Sequence, residues 1–147
     1  MLFRLAATAA SSALILTSLA GAAHAAPPPI RFSAAQYDSP GPDTGSNQSL
    51  NAEWVAVHNY GGKARTLTSW TVRDRSRHVF RFPTFRLAPG ATVRIHTGRG
   101  PNGARNLYWG SRAYIWNNTG DRATLKNAGA VTVDTCRWGD GPGFTRC

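Results

Sequence analysis

The sequence predicts an all-β domain built as a sandwich of two sheets, and three observations carry that prediction. Beyond the N-terminal stretch, nearly every periodic segment is short, rich in β-branched or aromatic residues, and bounded by Gly, Pro, Asn or Asp. Turn chemistry recurs at Asn59-Tyr60-Gly61-Gly62, Leu87-Ala88-Pro89-Gly90 and Asn118-Thr119-Gly120-Asp121, because Gly takes positive φ without penalty and Pro presets φ for a turn. The five Trp residues are dispersed over separate segments, each able to stabilise a core by about 1.5–3 kcal/mol when buried. Seven or eight strands at such spacing make a sandwich.

At the N-terminus, Arg4 precedes an apolar run from Leu5 to Leu19, followed by Ala23-His24-Ala25. This is the pattern of a secretory signal peptide spanning residues 1–25. The run falls short of the ~20 residues that a bilayer span requires. Cleavage leaves Ala26 to Cys147, 122 residues, expected outside the cell. A Pro-rich spacer at 26–29 then leads into one domain over 30–147, a length suited to a single modest core.

Strands are expected over 30–37, 50–59, 66–73, 78–82, 91–97, 112–117, 122–127 and 130–137. The stretch LNAEWVAVHN is the one competitor for a helix, but Val, His and Asn are mediocre helix formers and it runs into Gly61-Gly62. Alternation there sets Trp54 and Ala56 on one face and Val55 and Val57 on the other. Trp54 and Trp70 are expected in the core, whereas Tyr108, Trp109 and Tyr114, beside the loop GRGPNGARN, are expected to be more exposed. Cys136 and Cys147 are the only cysteines, and in an oxidising compartment the simplest reading is one disulfide between them. It would close a short loop, stabilise by roughly 3 kcal/mol, and staple the tail DGPGFTRC to the last strand. With no His nearby and no C-x-x-C spacing, a zinc or redox role for this pair is disfavoured.

Without the leader the chain holds sixteen basic and seven acidic residues, a charge of +9, and fourteen of the basic residues are Arg. Such a surface favours anionic partners, although Arg over Lys also reflects base composition in a GC-rich genome. The segment TVRDRSRHVFR gathers Arg73, Arg75, Arg77 and Arg81 about a hairpin turn. Alternation would set Arg73, Arg75 and Arg77 on one side of an extended segment, where they would follow phosphates in a salt-sensitive way. No recognition helix or zinc-finger pattern accompanies them, so non-specific attraction to nucleic acid, an anionic wall polymer or an acidic glycan is implied rather than base reading.

For catalysis the chain offers His58, His78 and His96, each alone on or beside a strand, and no Gly-x-Ser-x-Gly, His-Glu-x-x-His or phosphate-cradling loop. The loop DSPGPDTGSN with its flank supplies Asp38, Asp43, Asn47, Asn51 and Glu53, oxygen ligands of the kind calcium takes. Their order departs from the standard calcium loop, since Gly comes third and Glu eleventh from Asp43. The reading favoured for this loop is a connector whose Asp, Ser and Asn bond their own backbone. A metal-dependent hydrolase or nuclease using Asp38, Asp43 and Glu53 is the less favoured alternative, and no other cofactor is suggested.

Four ordered motifs then carry a resemblance. LNAEWVAVHN places an acid before an aromatic-Val-x-aliphatic-x-Asn strand, LTSWTVRD centres on Trp70, FRFPTFRLAPGATVRIHTG carries Phe82-Pro83 and the Leu-x-Pro-Gly turn, and LYWGSRAYIWNNTGDRATLKNAGAVTVDTC carries the Trp-Asn-Asn-x-Gly-Asp turn. From Ile30 to about Trp138 the chain resembles the lamin tail domain family, in its exported bacterial form. The resemblance implies an immunoglobulin-like β-sandwich and a binding or structural module rather than an enzyme, engaging a macromolecule, protein or anionic polymer, at or outside the cell surface. No heptad rod or prenylation box is present, so filament formation is not implied. The cysteine pair and the 38–47 loop lie outside the family pattern.

Overall fold

The computed structural model describes residue 21 and residues 23–147; the expected signal peptide falls largely outside them. In chain order the elements are β1 (Ile30–Gln36), α1 (Asn47–Ala52), β2 (Trp54–Asn59), β3 (Arg65–Thr66), β4 (Thr71–Arg73), β5 (Val79–Arg81), β6 (Arg86–Leu87), β7 (Thr92–His96), β8 (Asn106–Tyr108), β9 (Gly120–Lys126), β10 (Thr132–Gly139) and β11 (Phe144–Arg146). A five-stranded sheet runs β11-β1-β2-β7-β8, a four-stranded sheet runs β10-β9-β4-β5, and β3 pairs with β6. Among the described residues only the β7–β8 pair is parallel.

Alternation along the strands explains the layering. Val55 and Val57 on β2, Val93 and Ile95 on β7, and Ala123 and Leu125 on β9 are all buried, because every second side chain of a strand faces the same side. Between the sheets runs a continuous chain of rings, from Phe85 through Phe82, Phe80, Trp109, Trp116 and Trp138 to Tyr37, with successive centroids 5.0–5.8 Å apart. Its tilted and edge-to-face contacts suit the ring quadrupoles. The Trp138 indole donates to the Asn117 carbonyl at 3.0 Å, so its polar edge is satisfied as well. Trp109 thus packs against the core rather than lying exposed, whereas Trp54 is half-buried and turned away from the core, with the Arg94 guanidinium 4.2 Å over its ring.

Three expected strands are corrected by tertiary contacts. Residues 47–52 form a one-and-a-half-turn helix instead of opening the second strand, since Ser46 caps it by accepting from the Ser49 amide and Leu50 is buried. The expected 66–73 strand divides into β3 and β4 around a turn in which Ser69 takes φ 65°. Segment 112–117 is no strand; its amides donate to the carboxylates of Glu53 and Asp121 instead of a ladder. The tail strand β11 pairs with β1. Cys136 on β10 bonds Cys147 just beyond β11, so the disulfide ties the two sheets together.

Candidate anion-binding face

On the four-stranded sheet, Val72, Phe80, Ala123, Leu125 and Cys136 turn inward, which sends the alternate positions outward. Strand register assembles those positions into rows. Arg137 stands directly opposite Arg122, Thr135 opposite Thr124 and then Arg73 and Val79, and Thr132 opposite Lys126 and then Thr71 and Arg81. Two shallow hollows mark this face. One of about 340 Å³ is lined by Arg73, Asp74, Arg122 and Lys126 with Thr124, Thr132 and Thr135 around them. The other, about 200 Å³, is lined by Arg75, Asp121, Arg122, Arg137 and Trp138. Like charges directly opposite on neighbouring strands are destabilising, yet no arginine or lysine among the described residues has a carboxylate within 4.0 Å.

The acids nearby are occupied elsewhere. Asp121, buried, accepts from the amides of Arg75, Arg122 and Asn117. Asp74 accepts from the His78 amide at 2.7 Å and pairs with its ring Nδ1 at 2.6 Å. Asp134 reaches across to the opposite sheet and accepts from the Phe32 amide at 2.8 Å, at the bulge where β1 leaves its ladder register. Each carboxylate thereby satisfies backbone donors that would otherwise be left unmade. The guanidinium groups are left without counter-ions.

Of the four arginines singled out from sequence, Arg73 and Arg75 border the hollows, and Arg81 projects from the edge strand, donating to the Ser69 carbonyl at 3.2 Å. Arg77 is separated from them. The 74–78 segment is not extended as expected, because Asp74 closes it into a turn in which Arg77 adopts φ 75°. Arg122, Lys126 and Arg137 complete the face and were not marked by any local motif. Their only sequence signal is the i, i+4 spacing of Arg122 and Lys126 along β9, and the pairing that sets Arg137 of β10 opposite Arg122 is not revealed by a linear reading.

The remaining candidates occupy other places. Glu53, 1% exposed, directs Oε1 to the Thr97 hydroxyl at 2.6 Å and to the amides of Ile115 and Trp116 at 2.8 and 3.4 Å. Burial pushes its carboxyl up from the ordinary 4.5 to about 7, the three hydrogen bonds pulling the other way and the charge of Asp43 adding to the rise. Among the described residues no three His, Cys, Asp or Glu side chains gather into a group able to hold a metal, so Asp38, Asp43 and Glu53 are not brought together as one. Within the 38–47 loop, Thr44 bonds Ser46, and the Tyr114 hydroxyl takes up Gly45 and Ser49. His58 bonds Thr92, His78 bonds Asp74, and His96 bridges Asn51 and Asn106, three separate environments.

Comparison with known proteins follows from this architecture. The family model described as Lamin Tail Domain matches residues 23–140. No curated protein matches the chain.

Proposed function

The chain belongs to the lamin tail domain family, whose members are immunoglobulin-like structural domains, and on that premise we propose that it acts as an exported, non-catalytic binding module that holds an anionic polymer. The contact surface is the outer face of β10-β9-β4-β5. One observation carries the reading: of Arg73, Arg75, Arg122, Lys126 and Arg137, which share this face, none has a carboxylate within 4.0 Å, because Asp74 and Asp121, which border the hollows, and Asp134 are turned onto backbone amides. Phosphate, sulfate or carboxylate groups would replace the missing counter-ions, and guanidinium suits them through its planar fork of donors. A flat sheet face offers no element to enter a groove, which favours backbone attraction over sequence reading.

Retention of the mature protein on heparin and on DNA, measured across a salt series, tests the reading. Each neutralised phosphate contributes a slope of roughly −0.7 to −0.9 in log K against log salt. A variant with Arg73, Arg75, Arg122, Lys126 and Arg137 changed to Gln is expected to lose most of that slope, and retention equal to the parent's at every salt concentration would falsify the assignment. Export is tested by the mass of the protein recovered from culture fluid, expected to begin at Ala26.

A further inference from the structure

The opposite sheet carries a third hollow, about 580 Å³, where β7 and β8 run parallel; it is lined by Gly90, Ala91, Thr92, Arg94, Arg105 and Asn106. Arg94 and Arg105 are both exposed on its wall, are joined through the Arg94 amide and the Arg105 carbonyl at 2.9 Å, and have no carboxylate within 4.0 Å. The Arg94 guanidinium is held 4.2 Å over the Trp54 ring, a cation–π contact that fixes its plane and leaves its N–H edge free. We propose that this hollow is a discrete oxyanion site, taking one sulfate, phosphate or carboxylate group between the two guanidinium groups and the Asn106 amide. It lies on the other face of the sandwich from the polymer surface and does not depend on it.

Asn106 is positioned by the ring of His96, whose Nε2 lies 2.8 Å from Asn106 Oδ1 and whose Nδ1 lies 2.7 Å from the Asn51 carbonyl. Tyr108 stacks on that ring at 5.1 Å between centroids. With Oδ1 engaged by the ring, the Asn106 NH2 group is the end left to donate into the hollow.

Sodium sulfate serves as the probe in an NMR titration of backbone amides. Shifts are expected to concentrate at residues 90–94 and 105–108, and R94Q/R105Q is expected to weaken binding by roughly tenfold or more. N106A, which removes the amide donor, is expected to weaken binding several-fold. The R73Q/R122Q/R137Q variant, which tests the polymer face, should leave these shifts unchanged. A sulfated disaccharide as second probe separates a free ion from a group borne on a polymer: the free ion and the disaccharide bind alike in the first case, and the disaccharide binds more tightly in the second. Shifts spread evenly over the surface, or unaltered by R94Q/R105Q with near-UV circular dichroism intact, overturn the site; an affinity unchanged in N106A overturns the part assigned to Asn106.

Discussion

Glu53 and the Arg122–Arg137 pair are charged groups used in opposite ways. Glu53 is withdrawn from water and surrounded by three donors that fix segment 115–116 to Thr97. The two arginines face each other across β9 and β10 with nothing to neutralise them. A buried charge must be compensated within the chain or the fold loses stability. An exposed one is screened by water and ions, contributes little to folding, and stays available to a ligand. The seven acids of the chain are too few to serve both purposes, and those near the sandwich core are spent on structure.

Breaking the buried side should have the largest effect. Glu53→Ala strands the Ile115 and Trp116 amides and the Thr97 hydroxyl, and is expected to destabilise by about 4 kcal/mol in chemical denaturation. A loss below about 1 kcal/mol would show that water replaces the carboxylate without difficulty.

The same residue gives a pH dependence with a definite sign. Its folded-state pKa is raised from 4.5 to about 7, so the folded chain holds a proton that the unfolded chain releases. That contribution is complete below about pH 4.5 and is lost as pH rises through about 7. The change is of the order of 3 kcal/mol. Glu53→Gln should flatten this limb of the stability curve, and an unchanged pH profile would refute the assignment.

Next in size is the covalent tie. Replacing Cys136 and Cys147 by Ser frees the tail from β10 and should cost about 3 kcal/mol on the chain-entropy account. Because β11 is the edge strand beside β1, hydrogen exchange in that variant is expected to rise first at residues 144–146 and at Ala34 to Gln36.

The exposed side should respond in reverse. Arg122→Gln with Arg137→Gln is expected to leave stability unchanged or raise it by a few tenths of a kcal/mol, since it removes a like-charge pair. Its salt slope on heparin should nevertheless flatten by roughly 1.5. A marked fall in melting temperature would mean that these arginines serve the fold, and the contrast with Glu53 would collapse.

How much of this was legible follows from particular residues. Alternation through Val55 and Val57, the Leu-x-Pro-Gly turn and the isolated cysteine pair were sufficient for an all-β sandwich with one disulfide, because those signals act over a few residues. Trp54 was misplaced into the core, since alternation tells which residues share a face but not which face is inward. The 112–117 segment reads as a strand because Tyr114, Ile115 and Trp116 have the composition of one. Its amides bond a carboxylate sixty residues away instead.

By itself the sequence determined the class of fold, the excess of positive charge and the pairing of its two thiols, all of which depend on local preference or simple counting. Only the tertiary structure decided which acids turn inward and which arginines become neighbours. Those outcomes depend on the register of strands far apart in the chain, such as β4 against β9, and register is set by the packing of the whole core.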